Sequence, residues 1–231
     1  MLIGGLQPVT LLDYPQKVAA IIFTIGCNMR CPFCYNPSLV LADGIKRLSL
    51  ISERDIITFL KKRIKYLDGV VITGGEPTLQ NDLLSFCQKL KKIGYLIKLD
   101  TNGLRPHVLK KLFDDDLVDY IAMDIKGSKD NYNKSAGIKV DYNHIKKSIK
   151  LIINSKFPHE FRTTLVRGLH TKDDVVEISQ MVSGADKYFL QSFRKNKDLV
   201  GQNFSGQIFS AKIMAEFKNI AAPYVDVCEI R

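Results

Sequence analysis

The sequence predicts an α/β fold: parallel strands in an open or partly closed barrel of six strand–helix units, built as one domain over residues 1–231 with a core of about 16–192. Three observations predict it. Short apolar runs rich in β-branched residues alternate with longer segments of helical periodicity along the chain. Strands that alternate with helices are joined by crossovers, which makes the sheet parallel. The polar motifs follow directly after strands, and the C-terminal strand ends of such a sheet face a common site.

The elements follow in order. Val18–Thr24 reads as a buried strand. Ser52 with Asp55 resembles a capping box, and Ile56, Ile57, Leu60, Ile64 and Leu67 follow at helical spacing. Val70–Thr73 is a short strand, and the next helix carries Leu83, Phe86, Cys87, Leu90 and Ile93 on one face, with Gly94 as its stop. Leu96–Asp100 is a strand, Pro106–Phe113 a helix and Tyr120–Asp124 a strand. A helix from about Asn143 to Asn154 precedes a strand at Phe161–Val166. Thr171 with Asp174 caps a helix running to about Val182, and Lys187–Gln191 is the next strand. The last helix covers about Gln207–Ile220, and Val225–Cys228 is a final edge strand.

Composition narrows the function. Hydrophobic residues make up 45% of 231, no tract is dominated by Gly, Ser or Pro, and no internal repeat is found, which excludes a disordered or collagen-like chain. The longest apolar runs fall far short of the roughly 20 residues that span a bilayer. No basic segment followed by a long apolar one opens the chain, so no secretory signal or membrane role is expected and the cytoplasm is the expected location. The net charge of +10 suits an acidic partner. Its Lys and Arg residues are dispersed along helices as solvated faces are, which argues against nucleic acid.

Cys27, Cys31 and Cys34 stand in C-x3-C-x2-C spacing just after the first strand. A short loop of this kind can gather three thiolates on one metal centre, and no fourth cysteine lies near. A [4Fe–4S] cube on three cysteines keeps one iron open for a small molecule. Two plainer readings stand beside it. Structural zinc needs a fourth ligand, and none of His107, His144, His159 and His170 is close in sequence. A redox pair of Cys31 and Cys34 leaves Cys27 unexplained. Cys87 falls on the apolar face of its helix and reads as core.

The later strands end in further polar motifs. Gly74, Gly75 and Glu76 follow the second strand. Paired glycines let a backbone come close to a ligand and expose peptide groups to an amino-acid moiety, and Glu76 serves either the ligand's ammonium or the turn itself. Asp100, Thr101 and Asn102 end the next strand, and Asp124 and Lys126 the one after. Two aspartates ending successive parallel strands point to a shared site.

Taken together, C-x3-C-x2-C with Phe33 before the third cysteine and Thr73–Pro77 after the next strand resemble the radical S-adenosylmethionine (SAM) superfamily, over nearly the whole chain. The resemblance implies its partial (β/α)6 barrel and a [4Fe–4S] cluster on Cys27, Cys31 and Cys34. It implies SAM contacts from Phe33, Gly74, Gly75, Glu76, Asp100, Thr101, Asn102, Asp124 and Lys126, with Lys126 on the SAM carboxylate. Asp100, Thr101 and Asp124 resemble a monovalent-cation site, and Thr164, Val166 and Gln191 lie where the family often meets ribose and adenine. Gly4–Gln7, Leu12–Pro15 and Cys34–Pro37 are similar to the activating proteins of anaerobic ribonucleoside-triphosphate reductase, related to pyruvate formate-lyase activases, though Tyr35 stands where many relatives have His. The resemblance then implies reductive SAM cleavage, a glycyl-radical enzyme as partner, and a flavodoxin or ferredoxin as electron donor. Two other functions remain open: a radical SAM enzyme acting on a small molecule, nucleobase or peptide, and an Fe–S or zinc module that only carries electrons.

Overall fold

In the computed structural model, which describes residues 1–195 and 198–231, the chain forms two compact units. One comprises residues 1–28, 36–101 and 107–121, the other 29–35, 102–106 and 122–231. Each contains parallel strands and helices, the class that the alternation of patterns predicts, and the first adds one antiparallel strand.

The first unit opens on β1 (Ile3–Thr10), a strand that sequence patterning does not announce. It holds two glycines and Pro8, which disfavour central strands, but it pairs antiparallel with β2 (Ala19–Thr24), with an isolated bridge from Ile3 to Ile51, and its register breaks between Gln7 and Thr10, around the proline. After β2 come two short helices, α1 (Pro37–Val40) and α2 (Ala42–Lys46), both too short to leave a periodic signal. In α3 (Glu53–Arg63), the Ser52 side chain accepts the Asp55 N–H, as the capping pattern predicts. The helix ends before the Leu67 expected from periodicity. Asp68 is drawn to the start of β2 instead, where its N–H donates to the Val18 carbonyl at 2.7 Å and its carboxylate accepts the Val18 N–H at 2.8 Å.

β3 (Gly69–Gly74) runs parallel to β2 and to β4 (Leu96–Thr101). Between them α4 (Leu83–Ile93) packs on β4 and ends at Gly94, whose φ of +108° makes glycine the fitting stop. Cys87 is fully buried in that helix, and burial pushes its thiol up to about 12, so it is core as expected. α5 (Pro106–Asp114) leads to β5 (Tyr120–Asp124), a strand divided between the units. Tyr14, Ala19, Ile21, Val71 and Tyr120 form one buried cluster of this unit.

The second unit follows the same logic. α6 (Tyr132–Ala136), again too short to predict, ends at Gly137 with φ of +67°. α7 (Tyr142–Ile153) precedes β6 (His159–Leu165), and α8 (Lys172–Met181) starts with a complete Thr171–Asp174 capping box. β7 (Lys187–Ser192) is parallel to β6, and Ile125 just after β5 donates its N–H to Arg162 of β6. α9 (Ala211–Ala221) begins later than expected, because Gln207 is bridged through its backbone to Arg167. β8 (Val227–Ile230) pairs parallel with β7, two residues beyond the predicted Val225–Cys228. Among the described residues, no helix is long and apolar enough to cross a membrane.

Candidate functional site

In the first unit, parallel pairing brings the C-terminal ends of β2, β3 and β4 to one edge, Thr24 opposite Gly74 in register. The chain leaving β2 turns at Gly26 and reaches Cys27. The glycine pair after β3 is fitted against that exit. Gly75 donates its N–H to the Thr24 carbonyl and Glu76 to the Gly26 carbonyl, both at 2.8 Å. A Cβ on Gly75 would stand 2.0 Å from the Gly26 oxygen, and one on Gly74 2.6 Å from Thr24 backbone atoms. The close approach that demands glycine is thus made to the backbone that carries Cys27.

Glu76 is buried, and its Oε1 accepts from the Thr78 N–H at 3.1 Å, the Thr78 hydroxyl at 2.5 Å and the Thr101 hydroxyl at 2.8 Å. Of the two roles the sequence left open, this oxygen serves the turn. It also ties the end of β3 to the end of β4. Asp100 accepts the Thr73 hydroxyl at 3.2 Å and the Lys98 ammonium at 2.5 Å. Gln80, which sequence reasoning passed over, donates to the Ile25 carbonyl at 2.9 Å and accepts the Leu2 N–H, bracing the same loop.

The second unit holds Cys31 and Cys34 in a single turn, the Cys34 N–H donating to the Cys31 carbonyl at 3.0 Å. Two segments far along the chain fasten it. Val200 donates to the Cys34 carbonyl and Gly201 to that of Pro32, while the Arg30 N–H donates to Ala136 at the end of α6. Gly137 then passes so near Arg30 that a Cβ would stand 2.0 Å from its carbonyl oxygen. Phe33 is buried, its ring 6.2 Å from His170 and 6.3 Å from Phe204, so it packs behind the turn. Tyr35 stacks on Phe193 and accepts the Arg194 N–H at 2.6 Å.

Lys126 follows β5 by two residues. Its ammonium donates to Asp124 at 3.2 Å, and Arg162 donates to the other oxygen of that carboxylate at 2.8 Å. Burial by itself would raise the Asp124 carboxyl, but Arg162 and Lys126 reverse this and hold it well below the usual carboxylate range. Burial likewise works against the Lys126 ammonium, while Asp124 and its two sulfur neighbours, Cys31 and Cys34, hold it well above the lysine range. Lys126 is therefore a fixed positive charge beside two cysteines.

His170 and Arg162 belong to this site although sequence reasoning gave neither a role in it. His170 Nδ1 accepts the Val166 N–H at 3.0 Å, which leaves Nε2–H to donate to the Lys126 carbonyl at 2.9 Å. Arg162 shares a strand face with Thr164, and that alternation was the available signal. Thr164 donates to Gln191 at 3.2 Å across paired strands. Asn102 uses its side-chain oxygen locally, accepting the Leu104 N–H. Two buried hydroxyls on α6, Tyr132 and Ser135, lack a hydrogen-bond partner of normal geometry. Among the described residues, neither unit by itself gathers three or more His, Cys, Asp or Glu side chains as a metal centre needs; Cys27 falls in the first unit, Cys31 and Cys34 in the second.

Burial lowers the His170 pKa below its ordinary 6.5, its hydrogen bonds only partly opposing this. The folded protein thus resists a proton that the unfolded chain accepts. Stability from this residue is complete above pH 6.5 and declines as pH falls below it towards the folded value. Urea unfolding of the wild type and His170→Gln is expected to show the wild type losing more stability on acidification, the difference opening only below that pH.

Comparison with known proteins shows which family the chain resembles and which solved structures share its fold. The model of a family described as the radical SAM superfamily matches residues 21–182. A Methanocaldococcus jannaschii protein, named provisionally as a glycyl-radical enzyme activating enzyme, is 35% identical over 238 aligned positions, covering 100% of this chain and 95% of that one. The pyruvate formate-lyase-activating enzyme of Staphylococcus epidermidis is 28% identical over 176 positions, covering 72% and 69%. Among solved structures, Streptococcus suis SuiB bound to its precursor peptide shares the fold with a TM-score of 0.70 at 11% identity, over 90% of this chain and 47% of that one.

Proposed function

This chain belongs to the radical SAM superfamily, and we propose that it is a glycyl-radical activase, which cleaves SAM reductively to install a radical on a glycine of a partner enzyme. The observation that carries the reading is the 35% identity to a protein named for that activity over all of this chain and 95% of its relative. A match over that extent includes the segments on both sides of the cluster and SAM motifs.

In this reading Cys27, Cys31 and Cys34 hold a [4Fe–4S] cluster. The donor set fits: three cysteines within eight residues, two of them in one turn beside the Lys126 ammonium. When bound, the cluster and SAM supply one-electron cleavage of the sulfonium, giving methionine and a 5′-deoxyadenosyl radical that can take hydrogen from a glycine. The chain's own residues prepare the place. Lys126, charged at any physiological pH, meets the SAM carboxylate, while Asp124, Arg162 and the His170 bond to its carbonyl fix its position. Gly74, Gly75, Thr101 and Asn102 border the amino-acid part, and Thr164 and Gln191 the nucleoside. Phe33, packed on His170 and Phe204, keeps water from the back of the cysteine turn.

The partner we favour is an anaerobic ribonucleoside-triphosphate reductase, on the segments Gly4–Gln7, Leu12–Pro15 and Cys34–Pro37. The charge of +10 suits an acidic flavodoxin or ferredoxin as electron donor in the cytoplasm. The test is electron paramagnetic resonance of the reduced, cluster-loaded protein mixed with such a reductase and SAM. A glycyl-radical doublet on the reductase is expected. A modified small molecule formed with no partner present would replace this reading with that of a small-molecule enzyme.

Lys126→Ala is expected to weaken SAM binding about 10- to 100-fold, the worth of a hydrogen bond to a charged group, about 1.5–3 kcal/mol. Equilibrium dialysis with labelled SAM measures it. Asp124 keeps Arg162 in that variant, so the fold is expected to survive.

A further inference from the structure

The residues expected to hold a monovalent cation do not fit one in this structure. Asp100 Oδ1 accepts the Lys98 ammonium at 2.5 Å, with the two side chains 14% and 2% exposed. Its Oδ2 accepts the Thr73 hydroxyl at 3.2 Å, and the Thr101 hydroxyl hydrogen is committed to Glu76 at 2.8 Å. The Asp124 carboxylate has a Lys126 ammonium on one oxygen and the Arg162 guanidinium on the other. An alkali ion binds by gathering carboxylate and hydroxyl oxygens, and here each carboxylate already carries a cation.

Lys98 is the unusual member. Lysine is almost never fully buried unless paired, and this one lies in the middle of a parallel strand. It stands two residues before Asp100, on the same strand face, so its ammonium reaches the carboxylate directly. The same ammonium lies 5.9 Å from the centre of the Tyr120 ring, whose π face adds a second favourable contact. A buried carboxylate is costly unless a charge accompanies it, and a lysine does so without being lost by dilution.

We propose that Lys98 is this protein's built-in cation: its ammonium takes at Asp100 the place of a bound alkali ion, and SAM binding is independent of monovalent salt. Lys98 is a positioning residue here, holding Asp100 neutralised and oriented at the end of β4. The inference rests on the reading of the chain as a SAM-binding protein.

The test measures SAM affinity of the anaerobic, cluster-loaded protein by equilibrium dialysis in sodium, potassium, caesium and tetramethylammonium chloride at one ionic strength. The wild type is expected to bind alike, within about twofold, in all four. Lys98→Met is expected to lose about tenfold or more in tetramethylammonium and to recover most of it in one of the small alkali ions. Ion-specific affinity in the wild type overturns the proposal, and so does a folded Lys98→Met that binds as the wild type or that no ion rescues. If Lys98→Met fails to fold, the wild-type series decides alone. Absence of SAM binding in every salt, with the cluster loaded, overturns the SAM-binding reading itself and is distinct from ion-specific binding.

Discussion

Cys31→Ala is expected to abolish SAM cleavage, lowering it by at least about a thousandfold, or about 4 kcal/mol of barrier, and to leave the protein poor in iron after reconstitution. The argument runs through the turn that holds it. Cys31 and Cys34 are fixed in one turn whose backbone is tied to Val200, Gly201 and, through Arg30, to the end of α6. That backbone needs no sulfur, so alanine is accommodated and the fold is expected to persist. What disappears is one of three thiolates, and a cube already short of the usual fourth cysteine does not hold on two. Cys87→Ala is the control. That thiol is fully buried on α4 and pushed up to about 12, so its loss is expected to cost about 1 kcal/mol of packing and leave cleavage intact. Iron analysis, circular dichroism and 5′-deoxyadenosine yield, measured on both variants, separate the cases. Full iron and normal cleavage in Cys31→Ala would remove it from the ligand set.

Gly75→Ala is expected to destabilise the protein by about 3 kcal/mol or more, the upper range for forcing a methyl into a filled site. The added Cβ would stand 2.0 Å from the Gly26 carbonyl oxygen, and both parties are backbone, so no side chain can swing aside. Relief requires the β3 turn to lift from the β2 exit. That stretches the bonds from Gly75 to Thr24 and from Glu76 to Gly26, each worth about 1 kcal/mol. A melting midpoint lower by roughly 6–12 °C is expected. Because Gly26 immediately precedes Cys27, cluster loading is expected to fall as well. Gly168→Ala serves as the comparison: a Cβ there meets nothing within 4 Å, and only its φ of +90° opposes a side chain, at a cost of about 1–2 kcal/mol. Equal losses at both positions would show that the crowding at Gly75 is relieved by movement.

The legible parts of this protein are those written in neighbouring residues. The alternation of strands and helices gives the α/β class. Thr171 and Asp174 cap α8 because the box closes within four residues, and Gly94 ends α4 because its own φ requires glycine. The spacing of Cys27, Cys31 and Cys34 and the glycine pair after β3 are likewise written in neighbouring residues. Each is a local constraint: a periodicity, a cap, a conformation that one residue type adopts best. The tertiary structure decided the rest, because the deciding partners lie far apart in the chain. β1 becomes a strand only through its pairing with β2, against the propensity of its own glycines and proline. Gly75 is required by Gly26, 49 residues earlier. Arg162 and His170 enter the site by reaching Asp124 and the Lys126 carbonyl. By sequence Lys98 is one residue of the Leu96–Asp100 strand; in the fold β4 pairs with β3 and Lys98 is buried, and only burial turns its ammonium from a solvated charge into the partner of Asp100.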